Sequence, residues 1–363
     1  MNILFVSHLT SNVASGPNWS VPASVNALSE FDNVLWVNMT DVLLPHWKDV
    51  KDYHNISDYG SLKKLPIPFD KPDLVVFEGF YFLDDVFYAK WLRAKRIPYI
   101  IVPRGSFTWQ ALHNEARLKK VVAHVLFFNS FIRNATAIQY LTKKEQSDSM
   151  RTFSTRSFIV PNGFNEPSVK KSSFFDNGVK AVFVGRLGIY HKGIDNLLKA
   201  ISEVKEDLRK ANFTLEMYGP AHQYDYDDVR RMIDGLGVSD IVFLLDAISG
   251  KEKEQVLLGA DLFILTSRLE GHPMGLIEAL AYGLPSFVSP GSNMKEEIEE
   301  YNAGWVCDGE VQGIRDALLK VIVEKDKLGE KGLNAQRLAS IYNWRNISEQ
   351  FHNEIEGILS EKK

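Results

Sequence analysis

Short apolar runs alternate with longer stretches of helical period along the whole 363-residue chain. Residues 3–6, 33–37, 74–77, 99–102, 137–140 and 158–160 read as strands, and a second series follows at 181–184, 214–218, 241–244, 262–265, 286–288 and 304–306. A strand that is apolar on both faces must be covered on both, and the intervening amphipathic segments supply that cover. Two consecutive series of βα units therefore predict an α/β chain with two doubly wound, Rossmann-like domains and parallel sheets. The polar stretch 161–177, rich in Ser, Asn and Lys, marks the break.

Composition narrows the class. A hydrophobic content of 45% over this length suffices for two ordinary cores. The single cysteine, Cys307, excludes a disulfide framework, and the nine histidines form no HExxH pattern, so no metal is expected. Met1-Asn-Ile-Leu-Phe-Val-Ser7 has no basic lead and reads as the first strand rather than a signal peptide. No apolar run reaches membrane-spanning length, which predicts a cytoplasmic protein. Neither half carries GxGxxG after its first strand, which argues against a nicotinamide or flavin enzyme.

The chemistry concentrates after the strand at 262–265. There the chain reads Thr266-Ser-Arg-Leu-Glu-Gly-His-Pro-Met-Gly-Leu-Ile-Glu-Ala-Leu-Ala-Tyr-Gly-Leu-Pro285. Glu270 falls in the loop beyond the strand and Glu278 on the first turns of a helix stopped by Gly283 and Pro285. Ligands of open α/β sheets bind outside the carboxyl ends of the strands. Gly271 and Gly275 permit close backbone approach, and the amides of Met274, Gly275 and Leu276 at the helix start suit a phosphate. On spacing alone, the preferred reading is Glu270 as a plain helix cap and Glu278 as a solvated residue. A second constellation, Val184-Gly185-Arg186-Leu187 followed by Lys192-Gly193, delivers a planar guanidinium and a mobile ammonium to one loop at a strand end.

With both motifs, the chain resembles the GT-B glycosyltransferases, most closely the retaining family 4 of the glycosyl transferases group 1. Val160-Pro-Asn-Gly163, Tyr218-Gly219-Pro220 and Ala260-Asp261 also match, so the resemblance covers the whole C-terminal half and is weaker, resting on layout, in the N-terminal half. It implies an acceptor domain at 1–165 with a C-terminal helix, 344–363, packed back on it, a donor domain at 166–343, and an active site in the cleft between them. It further implies that Arg186 and Lys192 hold the donor diphosphate, that Glu278 accepts from ribose hydroxyls, and that Glu270 approaches the transferred sugar. Gly16, Gly185, Gly219, Gly271, His272, Met274, Gly275 and Leu276 would complete the donor site. The implied reaction moves a hexosyl unit from a nucleotide-diphosphate sugar, UDP foremost, to a saccharide acceptor with retention at the anomeric carbon. No cofactor or metal is called for. Polysaccharide assembly of the O-antigen, capsule or exopolysaccharide kind is the implied process. Asp246-Ala247 departs from a family Gly at that place, which leaves base recognition open.

Competing readings stay in view. A nucleotide-sugar epimerase, a glycan phosphorylase and a non-catalytic glycan-binding partner share this fold. Glycoside hydrolases also flank a glycosidic bond with two carboxylates, but they need no diphosphate clamp. Asp225-Tyr-Asp227 has the spacing of a metal-binding DxD pair, yet acids ahead of an apolar helix are ordinary caps. For the acceptor, Glu78, Arg104, Trp109 and His113 lie in loops at strand ends, where aromatic and polar groups together suit a sugar. Residues 1–170 carry 19 Lys and Arg against 15 Asp and Glu, although the whole chain is at −4. Arg117-Leu-Lys-Lys120 leads into an apolar run that could rest on an anionic inner membrane face beside a lipid-linked acceptor, although a buried helix with a solvated basic end is the preferred reading. No basic stripe suggests nucleic acid.

Overall fold

Each series of apolar runs builds its own parallel sheet. A computed structural model describes residues 1–12, 15–108, 123–150, 155–175, 177–219 and 223–361, and the chain divides into two compact units, Met1–Gly163 with Trp344–Lys363, and Phe164–Asn343. The division falls two residues before the boundary expected at 165. Trp109 and His113, and the basic run 117–120, lie outside the described residues.

In the first unit the described strands are β1 (Asn2–Ser7), β2 (Asn33–Asn38), β3 (Tyr53–Asn55), β4 (Leu74–Glu78), β5 (Tyr99–Val102), β6 (Ala137–Tyr140) and β7 (Ser157–Ile159). They lie in the order β3-β2-β1-β4-β5-β6-β7, every neighbour parallel. Alternate side chains of β1 enter different cores: Ile3 and Phe5 pack with Trp36 and Val76, while Leu4 and Val6 pack with Leu35 and Phe77. The helix Trp344–Ser360 closes the first of these cores. Its Trp344, Ile347, Phe351, Ile355 and Ile358, spaced by three and four, are buried with Ile3 and Phe5, beside the helix Pro17–Leu28. The short edge strand β3 was not foreseen, because Tyr-His-Asn has no apolar run. It exists by pairing with Trp36–Asn38 of β2.

The second unit holds β8 (Val179–Val184), β9 (Phe213–Tyr218), β10 (Val242–Leu245), β11 (Leu262–Leu265), β12 (Ser286–Val288) and β13 (Gly304–Val306), in the parallel order β10-β9-β8-β11-β12-β13. Buried Asp261 anchors β11 to its surroundings: its carboxylate accepts from the amides of Phe175 and Lys180 at 3.0 Å each and pairs with Lys171 at 3.4 Å. Asp225 and Asp227 are not caps ahead of a helix. They fall inside the helix Gln223–Leu236, at its third and fifth residues.

Both sheets reverse their strand order once, between β1 and β4 in the first unit and between β8 and β11 in the second. The crevice outside the carboxyl ends of strands at such a reversal is the ligand position of doubly wound sheets. The loops after those four strands therefore border the ligand positions of the two sheets.

Candidate active site

In Phe164–Asn343 the loops after β8 and β11 converge at backbone distance. A Cβ on Gly219, just past β9, would lie 1.8 Å from the Gly185 carbonyl oxygen, and one on Gly193 would lie 2.1 Å from that of Thr266. Gly193 also sits at φ 65°, the left-handed conformation that ends the short turn Ile189–Lys192 and starts the helix Ile194–Glu203. Glycine is thus required at both places by packing, which makes Gly219 a support for the Gly185 turn rather than an open contact surface.

The side chains follow from this frame. Lys192 forms an ion pair with Glu270, and the Ser267 hydroxyl donates to the same carboxylate oxygen at 2.7 Å. Arg268 ties the two loops together with a bidentate pair to Asp195 at 2.6 and 2.9 Å, a bond to the Tyr190 carbonyl at 2.9 Å, and a guanidinium placed over the Tyr190 ring. Burial pushes Asp195 up, but the hydrogen bonds and charge of Arg268 outweigh it and hold the carboxyl below its ordinary range. The loop after β12 adds a strap: the Asn293 amide donates to the carbonyls of Glu270 and, at 2.9 Å, Gly271, and the Ser289 hydroxyl donates to that of Ser267 at 2.6 Å.

Arg186 stands apart. It is exposed at the carboxyl edge of β8, and no side-chain partner for its guanidinium is found among the described residues. Glu278, on the helix Met274–Tyr282, is paired with Lys253 of the helix Gly250–Gly259. At the start of Met274–Tyr282 the Leu276 amide is already bonded to the Pro273 carbonyl at 3.0 Å, contrary to the expectation that it stays free; the amides of Met274 and Gly275 have no acceptor among the described residues. His272 departs more clearly from expectation. It is buried against Tyr342, ring centroids 5.1 Å apart, and burial lowers its imidazole to about 3, so it supports the loop from behind. Gly271 keeps open space where a Cβ would go. Lys253, Asn293 and Ser267 were not singled out in the sequence.

In Met1–Gly163 the structure joins two of the proposed acceptor residues. Arg104 donates from Nε to Glu78 at 2.7 Å, with both side chains almost enclosed, and Nη1 reaches Ser20 at 3.1 Å and Asn162 at 3.4 Å. Arg104 itself adopts φ 49°, unusual for a residue with a side chain. The turn is held by Glu145, whose carboxylate accepts from the Gly105 amide at 2.5 Å and the Leu141 amide at 2.8 Å; burial pushes Glu145 up against those bonds. Gly16 begins the helix Pro17–Leu28 with open space around its Cα.

Residues 165–337 match the family model described as Glycosyl transferases group 1. The chain is 27% identical over 195 residues to a subunit of the human phosphatidylinositol N-acetylglucosaminyltransferase, covering 53% of this chain and 39% of that one. Over 174 residues it is 28% identical to the amylovoran biosynthesis glycosyltransferase AmsK of Erwinia amylovora, covering 46% and 41%. The chain thus matches only about two fifths of the length of these relatives. Among solved structures, Anabaena Alr3699/HepE in complex with UDP and glucose aligns with a TM-score of 0.75 at 19% identity, over 98% of this chain and 100% of that one. The lipopolysaccharide outer core galactosyltransferase WaaB aligns at 0.71 and 16%, over 98% and 99%. These likenesses establish the fold, which is that of the GT-B glycosyltransferases.

Proposed function

From a C-terminal unit that the Glycosyl transferases group 1 model matches over residues 165–337, we propose that the protein is a hexosyltransferase using a nucleotide-diphosphate sugar, with UDP as its nucleotide. The observation that carries this reading is Arg186, an exposed cation without a side-chain partner among the described residues, on the loop that also bears the Lys192–Glu270 pair, at the strand-order reversal of its sheet. The start of the helix Met274–Tyr282 approaches the end of β8, a Cβ on Gly275 lying 3.1 Å from the Val184 carbonyl oxygen, so an unpaired guanidinium on the following loop and amides without an acceptor among the described residues suit a diphosphate. Arg186 and Lys192 take up the charge that develops as the bond from the anomeric carbon to the diphosphate oxygen breaks and its electron pair leaves with the nucleotide. Glu270 orients the transferred sugar, and Glu278, steadied by Lys253, accepts from the ribose hydroxyls. The acceptor oxygen forms the new bond with retention of configuration as its hydroxyl proton passes to the departing diphosphate. With two cations already in place the reaction needs no divalent ion, so activity survives exhaustive chelation.

The Glu78–Arg104 cluster would take the acceptor, a glycan or lipid-linked saccharide of a polysaccharide pathway. Exposed Leu83, Phe87 and Leu126, together with exposed Lys90, Arg93, Lys95 and Arg96, support contact with an anionic membrane on its cytoplasmic face. Incubation with UDP-glucose, UDP-galactose, UDP-N-acetylglucosamine and GDP-mannose, read by nucleotide release and by the anomeric proton coupling of the product, tests the reading. Release of UDP with an axial-to-axial outcome supports it; no binding or turnover of any of the four sinks it.

A further inference from the structure

The other strand-order reversal, between β1 and β4, carries a built side-chain arrangement of its own. His8 is the first residue past β1, whose Ser7 pairs with Glu78 at the end of β4. The backbone on either side of His8 is pinned by buried Asn38, whose Oδ1 accepts from the Ser7 hydroxyl at 2.9 Å and from the Leu9 amide at 2.8 Å. The ring is fixed twice more. Its Nε2 lies 2.8 Å from Asp85 in the first turn of the helix Leu83–Ala94, and its plane stacks on Phe82 with centroids 3.7 Å apart at 7°. Asp85 is almost wholly enclosed, and a carboxylate there accepts a hydrogen bond from Nε2–H, which in the neutral ring leaves Nδ1 with its lone pair. Nδ1 has no partner among the described residues, yet the His8 side chain keeps 10% of its surface open. An imidazole that served only to neutralise Asp85 would need neither the open edge nor the stacked ring.

The geometry points to His8 as a saccharide-binding residue of this unit, its Nδ1 accepting a hydrogen bond from a sugar hydroxyl. A neutral hydroxyl fits better than a phosphate, because the ring is already held by the enclosed carboxylate of Asp85, to which neighbouring Asp84 adds a second negative charge. Naming that sugar the acceptor rests on the function proposed above; the hydroxyl contact itself does not. Rigid support of this kind, with backbone, ring face and one nitrogen all held, is what a hydrogen bond with geometric selectivity requires.

The test uses the full chain labelled with 15N-histidine and the methyl α-glycosides of glucose, galactose, mannose and N-acetylglucosamine as probes. His8→Gln assigns the signal. At least one glycoside should move the His8 ring nitrogens in a saturable way. Asp85→Asn, which replaces the charged acceptor of the ring by a neutral amide that can also donate to it, and His8→Ala, which removes the ring, should each weaken that binding about tenfold, while UDP binding, followed in parallel, stays unchanged. Thermal denaturation of both variants checks that the unit remains folded. His8 signals indifferent to all four glycosides, or Asp85→Asn binding like the wild type, would overturn the assignment. Failure of UDP to bind would count against the function proposed for the other unit and leave the glycoside result to decide on His8.

Discussion

Arg186 and Lys192 arrive from the same short segment but stand in different surroundings, and their alanine variants should differ accordingly. Arg186 has no side-chain partner among the described residues. Arg186→Ala should lower turnover of the nucleotide sugar about 10²-fold with the melting temperature unchanged. Lys192→Ala should lose as much activity and also leave the partly enclosed Glu270 with only the Ser267 hydroxyl, so the 266–271 loop should loosen. Steady-state kinetics and calorimetry on both variants check this, and near-normal turnover in either would refute the diphosphate assignment. The residues found by motif, Glu270, Glu278, Arg186 and Lys192, were legible because short spacing places them on strand-end loops. Lys253 and Asn293 were not. Their partners, Glu278 and the Glu270 carbonyl, lie more than twenty residues away in the chain, and no periodicity links such positions. His8 was missed for the same reason: Asp85 reaches it only through the pairing of β1 with β4.

At the scale of elements the reading was mostly local and therefore mostly recoverable. Buried parallel strands declare themselves as apolar runs, and only β3, held by its neighbour rather than by its own composition, escaped. What propensity could not give is how closely the turns approach. Gly219→Ala should cost about 1–3 kcal/mol of stability by overpacking and weaken UDP binding, since its Cβ would push away the Gly185 carbonyl next to Arg186. Gly271→Ala, with open space around it, serves as the contrasting control; equal stability of the two variants would contradict the close approach. His272 gives the second turn-scale prediction. Its imidazole is lowered to about 3 by burial, whereas the unfolded chain protonates near 6.5. The unfolded state therefore binds the extra proton, and stability is retained above pH 6.5 and lost as pH falls below it, by about 1.4 kcal/mol per pH unit. Urea titrations between pH 5 and 6.5, above the range where carboxylates dominate, should show that slope in the wild type and a flatter one in His272→Leu. Equal slopes would remove His272 from the pH response.

For the whole molecule, the important fact is that chain order and unit membership part company: the last helix belongs to the first unit. Its register is amphipathic in the sequence, but which sheet it covers depends on contacts more than three hundred residues apart, such as that of His352 with Asp32 at 2.7 Å. Local pattern therefore predicts the helix and not its destination, which came from family resemblance alone. The energetic consequence can be measured. Trp344, Ile347, Phe351, Ile355 and Ile358 are buried with Ile3 and Phe5, and full burial of each such side chain is worth about 1.5–3 kcal/mol. Ending the chain at Asn343 strips that cover from one face of the β1 sheet, a loss comparable with the entire stability of an ordinary domain. The truncated protein should thus lose the unfolding transition of Met1–Gly163 and keep that of Phe164–Asn343, whose core contains no residue of the helix. Phe351→Ala in the full chain is the milder form, expected to cost about 3–5 kcal/mol in the first transition only. Differential scanning calorimetry, with UDP added to identify the second transition by its upward shift, distinguishes the two. A truncation that lowered the UDP-sensitive transition and spared the other would mean that the helix stabilises the opposite unit.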